Sequence, residues 1–238
     1  MEPNPDYTTR RSSLIYGLYL ACSSILLLAS CNSTTVLLAN FNNDTIGSPP
    51  GTTQPTGTVQ LTPGSGLITV VSDPPSGEQH ANKWALITHP AQPAPETKLT
   101  GRFTQWGIGS YGILTSLNIP ANSGVVTVQL EAANPLGSFM HLDFMPEGDI
   151  RIDDDESLRF GSFPRDENFV LSIGMNITDT TATADITVTG NGASGNKVVN
   201  VKPIFLNVAR NFGACTFWVG YQHNASFYVD NIIVTKKN

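Results

Sequence analysis

The sequence predicts an all-β fold, a two-sheet antiparallel β-sandwich of jelly-roll-like form behind an N-terminal signal helix. Three observations predict it. From Thr34 to Thr235 the apolar residues fall in short runs broken by Gly, Pro, Asn and Asp, at the spacing of strands and turns. Within the runs they alternate. Val126, Val128 and Leu130 interleave with Thr127 and Gln129, and Ile186 and Val188 with Asp185, Thr187 and Thr189, so one face is buried and the other wet. No stretch of this region carries the period of a long helix. That many half-buried strands must cover one another, and two packed sheets do so. The division expected is a signal peptide over 1–30 and a single β-sandwich domain over 31–238.

In chain order the first element is the only long apolar run. Arg10 and Arg11 precede Leu14 to Leu28, which is interrupted only by Gly17, Cys22, Ser23 and Ser24. As a helix it spans roughly 22 Å, short of a bilayer's hydrocarbon core, so it reads as an export signal rather than a membrane span. Its ending, Leu28-Ala29-Ser30-Cys31, resembles the lipobox of bacterial lipoproteins. The resemblance implies cleavage before Cys31, acylation of the Cys31 thiol, and a chain exported and anchored through membrane lipid, with an ordinary signal peptide cut near Ala29 as the alternative. Thr9-Arg10-Arg11-Ser12-Ser13-Leu14 is similar to a twin-arginine signal but has Ser13 where Phe is usual, so Sec export is expected. By resemblance to enterobacterial lipoproteins, Asn32 argues against retention at the inner membrane and for the outer membrane, facing periplasm or surface.

The strands expected after the signal are Thr35 to Phe41, Thr58 to Leu61, Leu67 to Val71, Trp84 to Thr88, Lys98 to Thr104, Tyr111 to Ile119, Val125 to Ala132 and Phe139 to Met145. Asp149 to Ile152, Leu158 to Phe163, Phe169 to Met175, Ala182 to Thr189, Lys197 to Val201, Cys215 to Tyr221 and Ser226 to Thr235 follow. The proline-rich stretches Gly47 to Gly57 and His89 to Pro95 read as exposed loops.

Charge and cysteine content narrow the function. The formal net charge is -6, which gives no electrostatic case for a nucleic-acid partner. With Cys22 in the signal and Cys31 acylated, Cys215 has no disulfide partner. Inside Ala214-Cys215-Thr216-Phe217-Trp218 it reads as a small buried hydrophobe, because nothing nearby would stabilise its thiolate.

The remaining motifs lack the context their chemistry needs. Gly107-Ile-Gly109-Ser-Tyr-Gly112 has the spacing of a dinucleotide loop, but strand-like sequence follows it where a helix N-terminus is required, so it reads as a glycine-rich loop. Glu147 and Asp149 would share a strand face, yet Met145-Pro146-Glu147-Gly148-Asp149 reads as a turn. Glucanases on concanavalin-type sandwiches carry a third acid three residues beyond the Asp, where this chain has Ile152. Asp153-Asp154-Asp155-Glu156 reads as a solvated acidic edge. His141 and Asp143 share a strand face, but no second histidine stands at ligand spacing. No Gly-x-Ser-x-Gly elbow occurs.

Leu38-Ala-Asn-Phe41-Asn-Asn-Asp-Thr-Ile-Gly47 and Phe227-Tyr-Val-Asp230-Asn-Ile-Ile-Val234 resemble the opening and closing strands of jelly-roll carbohydrate-binding and laminin-G-like (concanavalin-like) sandwiches. The resemblance implies that these strands lie side by side. It also implies a structural calcium held by Asn42, Asp44 and Asp230; no other cofactor is expected. The function expected is noncatalytic binding of glycan, a polysaccharide or an envelope protein. The alternatives are a polysaccharide-active enzyme, hydrolase or lyase, on the same fold, or a purely structural envelope protein. Trp106 and Tyr111, which bracket the glycine-rich loop, are the expected ligand-binding aromatics, since no alternating pattern demands their burial.

Overall fold

The structure, a computed structural model, describes residues 32–63, 66–74, 82–90, 95–134, 137–219 and 224–237. The signal region and Cys31 lie outside the described residues, as do His80, Tyr221 and His223.

The strands, in order, are β1 (Ser33–Ala39), β2 (Thr58–Thr62), β3 (Leu67–Ser72), β4 (Lys83–His89), β5 (Thr97–Arg102), β6 (Gly109–Asn118), β7 (Val126–Ala132) and β8 (Ser138–Phe144). Then come β9 (Asp149–Ile152), β10 (Asp155–Ser162), β11 (Asn168–Ile177), β12 (Ala182–Gly190), β13 (Ala193–Asn200), β14 (Phe212–Val219) and β15 (Ala225–Lys237). A 3-10 turn, Pro203–Phe205, leads into one short helix, α1 (Leu206–Ala209), before β14.

The neighbour order is β2-β5-β14-β7-β8-β9-β10-β13-β12-β11-β6-β15-β4-β3, with β1 beside β15. Every pairing is antiparallel. The path folds over on itself to make the sandwich. One layer runs from β2 to β10, the other from β13 to β3. They join edge to edge through a single pair, Ser162 with Ser194, where Gly161 (φ 60°) and Gly195 cross so closely that a Cβ on Gly161 would lie within clash distance of the Ser194 carbonyl. The terminal strands β1 and β15 do lie side by side, Ser33 opposite Lys237 through Ala39 opposite Ile232.

Alternation sets the faces. In β11, Phe169, Leu171, Ile173, Met175 and Ile177 are buried while the residues between them are not, and the ten-pair register with β6 keeps both strands' apolar sets inward. Two aromatic clusters weld the layers. Phe212 of β14 meets Phe103, Tyr111 of β6 and Phe139 of β8 edge-on, at centroid distances of 4.9, 5.0 and 5.4 Å. Phe144 of β8 meets Phe163 and Phe169 of β11 at 5.2 and 5.7 Å. Cys215 is fully buried between these layers, and that burial pushes its thiol pKa well up, with Glu131 adding to the effect.

Candidate functional site

The outer face of the β2-to-β9 layer is where polar side chains converge. In β14, Cys215, Phe217 and Val219 point inward, so Thr216 and Trp218 point out. Register lines them up with their neighbours. Gln60, Thr100, Thr216, Gln129 and His141 form one row across β2, β5, β14, β7 and β8, and Lys98, Trp218, Thr127, Asp143 and Arg151 form the next, ending on β9.

These side chains are bonded into a network. The Thr216 hydroxyl donates to Glu131 Oε2 at 2.7 Å, so the 2.9 Å contact between Thr100 and Thr216 is donated by Thr100. The Gln129 amide, oriented by its neighbours, donates to Glu131 Oε1 at 3.0 Å and accepts from Trp218 Nε1 at 3.2 Å. Lys98 Nζ lies 5.0 Å from the Trp218 ring centroid. Glu131 and Trp218 are thereby fixed in position while both remain partly accessible.

A second cluster lies on the same face. The β9–β10 hairpin turns through two residues, Asp153 and Asp154, both at positive φ (55° and 56°), and the Asp153 N–H docks the turn on the His141 carbonyl at 3.0 Å. Both carboxylates therefore hang over His141. Its Nε2 lies 3.2 Å from Asp143 Oδ2 and 3.4 Å from Asp154 Oδ2, and its Nδ1 lies 3.6 Å from Asp153 Oδ1. Thr127 donates to Asp143 Oδ1 at 2.7 Å. Burial disfavours the charged forms of both His141 and Asp143, but their mutual contact outweighs it. The His141 pKa is raised, with Asp153 and Asp154 contributing, and the Asp143 pKa is lowered, with Thr127 contributing.

The neighbouring acids do something different. Asp149 is as buried as Asp143, but it accepts from Arg151 Nε at 3.3 Å and forms an ion pair with Arg159 Nε at 3.0 Å, while Glu147 takes Arg151 Nη2 at 2.8 Å. The turn from Met145 to Asp149 forms as expected, closed by Gly148 N–H to Met145 O at 2.9 Å. The acidic stretch is thus a solvated edge only in part. Asp149 is enclosed by arginines and the Asp153–Asp154 turn is folded onto His141.

The expected ligand aromatics separate. Trp106 is 51% exposed, but Tyr111 is buried, its hydroxyl donating to the Gly107 carbonyl at 2.7 Å and its pKa pushed up to about 12 by burial. The reason is that β6 begins at Gly109, so half of the glycine-rich segment is strand and its register turns Tyr111 toward Phe212. Lys236 lies over the Tyr111 ring and donates to the Trp106 carbonyl. Trp106 Cβ lies beside Gly213, near the start of β14, so close that a side chain on Gly213 would clash with it.

Around the trio Asn42, Asp44 and Asp230, Asp44 Oδ2 and Asp230 Oδ1 are buried atoms without a hydrogen bond. Asn42 Oδ1 accepts from the Lys83 N–H at 3.2 Å, and Asp44 turns its carboxylate toward Gly51, beside a shallow depression of about 360 Å³ also lined by Asn43 and Gln54. Asp230 is fully buried and takes the Asn82 amide on Oδ2 at 2.5 Å, leaving Oδ1 without a hydrogen bond. The acid that Asp230 faces is Asp73.

Sequence reasoning assigned Trp218 to core packing and the Asp153–Asp154 pair to a solvated edge, and it passed over Glu131 and Asp73 as site residues. For Trp218 and Glu131 the signal was present, since a strand pairing Cys215 and Phe217 inward must present Thr216 and Trp218 outward. For the others it was not, because they meet their partners through turns and register.

No protein-family model matches the chain, and no curated protein sequence is similar to it. Solved structures are similar. An endo-1,3-beta-glucanase from Streptomyces sioyaensis superposes with a TM-score of 0.55 at 11% identity, covering 87% of this chain and 98% of that one. The likeness is one of fold. The CBM2 module of the evolved Dit of Lactobacillus casei BL23 phage J-1 gives 0.51 at 15% identity, covering 87% and 97%. A sialidase gives 0.52 at 10% identity over 72% of this chain, which spans only 17% of the sialidase's length. The jelly-roll-like β-sandwich is therefore shared with known structures, among them glucanases and a carbohydrate-binding module.

Proposed function

We propose that this chain is an exported lipoprotein, anchored through acylated Cys31, whose β-sandwich binds glycan noncatalytically on the outer face of the β2-to-β9 layer. The observation that carries the reading is the network joining Trp218, Gln129, Glu131 and Thr216. An aromatic ring packs against the CH face of a sugar, while the Gln129 amide and the Glu131 carboxylate, the latter held by the buried Thr216 hydroxyl, meet its hydroxyl groups without further ordering cost. Lys98 covers part of the ring in the free protein, but an exposed cation–π contact is worth only about 0.5–1 kcal/mol, so a ligand displaces it easily. From Trp218 to Ala214 the strand runs about 13 Å, with Trp106 at the far end, a length suited to an oligosaccharide.

Binding rather than hydrolysis is supported at the Trp218 network by the separation of Glu131 from Asp143. Glu131 pairs with Ser138 and Asp143 with Thr127, so the two acids are offset by four residues, about 13 Å along the strands. Glycosidase pairs stand about 5–5.5 Å or 6.5–9.5 Å apart. The anchor is supported by the lipobox, and Ser33 already belongs to β1, which makes the tether short.

Titration against a panel of envelope and plant polysaccharides, followed by tryptophan emission, tests the reading. Trp218→Ala should weaken binding about tenfold or more, and Trp106→Ala should weaken it less. If a polysaccharide binds and the folded Trp218→Ala variant binds it equally well, this face is not the site. Release of reducing ends, abolished in Glu131→Gln, would instead establish an enzyme. For the anchor, Cys31→Ser should release the protein from membranes; unchanged partition refutes acylation there.

A further inference from the structure

We propose that His141, Asp143 and Asp154 form a binding site for a divalent transition metal of the zinc class. The site does not depend on the glycan reading.

Geometry is the first argument. Ligand bonds of about 2.0–2.1 Å to nitrogen and oxygen place the corners of a coordination tetrahedron about 3.3–3.4 Å apart. His141 Nε2 stands 3.2 Å from Asp143 Oδ2 and 3.4 Å from Asp154 Oδ2, and the three side chains offer ligand atoms that all lie within 4.8 Å of one another. Two edges of such a tetrahedron, both from Nε2, are therefore already at that length. The fourth corner lies toward solvent, because the Asp154 side chain is 85% exposed.

The second argument is an unmet demand. A protonated Nε2 has one N–H and can direct it at one oxygen, yet two carboxylate oxygens face it at bonding range. Asp143 is only 3% exposed, and its Oδ2 is a buried atom that accepts no well-directed hydrogen bond. An acceptor buried in that state normally has a partner. A cation between Nε2 and the two oxygens satisfies all three at once.

The surroundings are those a metal ligand needs. Thr127 fixes the other Asp143 oxygen at 2.7 Å, and the Asp153 carboxylate stands 3.6 Å from His141 Nδ1, where its charge favours a proton on that nitrogen over one on Nε2. Asp153 is itself held by the His141 N–H at 3.0 Å and by Lys202 Nζ at 3.5 Å. Asp143, Asp153 and Asp154 against His141 and Lys202 leave an excess of negative charge even with the imidazole protonated, so a dication is electrostatically welcome. One imidazole nitrogen among so few ligands selects the zinc class over calcium, which takes six to eight oxygens.

The test is equilibrium dialysis of the full-length protein, stripped with chelator, against zinc chloride, with manganese and calcium chlorides as parallel probes and bound metal measured per chain. Zinc should bind with one-to-one stoichiometry and raise the melting temperature. Asp154→Asn should weaken it by at least about tenfold. That variant keeps the fold, since the side chain is exposed and Asn accepts the positive φ of the turn readily. His141→Gln should also abolish the one-to-one uptake and the rise in melting temperature. Zinc uptake equal in wild type and both variants, no uptake by the wild type, or calcium retained in preference to zinc would each overturn the proposal.

Discussion

Asp143 on β8 and Asp230 on β15 are both buried strand aspartates, one in each layer of the sandwich, and their charge states go opposite ways. Burial raises the pKa of both. At Asp230 burial wins. Its pKa rises to about 7, because the nearby acid, Asp73, adds repulsion and the Asn82 amide and the Asn231 backbone are neutral donors. At Asp143 burial loses, because the facing group is a histidine and a threonine hydroxyl donates to the other oxygen. Depth in the protein sets the size of the desolvation term, and what stands opposite decides its outcome. Asp230 is thus poised toward the neutral acid and Asp143 toward the charged partner of His141.

The largest expected effect is at Asp230. Its folded pKa lies above the ordinary 3.8, so its stabilising contribution is full below about pH 4 and is lost as pH rises through about 7. Asp230→Asn keeps an acceptor for Asn82 without the charge, and should be more stable than wild type at about pH 8 by at most about 4 kcal/mol, with little difference near pH 4. Urea denaturation at both pH values measures this, and identical profiles would remove the contrast. Next comes Asp143→Ala, which strips the acceptor from Thr127 and the partner from His141 and should cost about 2–3 kcal/mol near neutral pH. A variant more stable than wild type would mean that crowding by Asp153 and Asp154 outweighs those contacts. Smallest is Thr127→Val, expected to cost about 1 kcal/mol, and less in the Asp143→Ala background; equal cost in both backgrounds would show that the hydroxyl acts on something other than Asp143.

The sequence by itself determined the all-β class, the fifteen runs that became strands and the burial of Cys215. Each of these follows from alternation, turn residues or composition, which act over a few neighbours. Boundaries moved where polar residues belong to strands, as in β13, which starts at Ala193 rather than Lys197 because its pairing with β12 continues to Gly190 without needing an apolar face. Only the tertiary structure decided which polar residues meet. Tyr111 and Trp106 are close in sequence and were expected together, but strand register sent one into the core and left the other at the surface. The residues that do converge come from distant segments: Thr100, Glu131 and Thr216 on three strands, Asp73, Asn82 and Asp230 across the other layer, and Asp153 and Asp154 over His141 through a two-residue turn. Alternation tells each side chain which face it occupies, whereas its neighbours on that face are set by strand order and register, and those are properties of the assembled sheet.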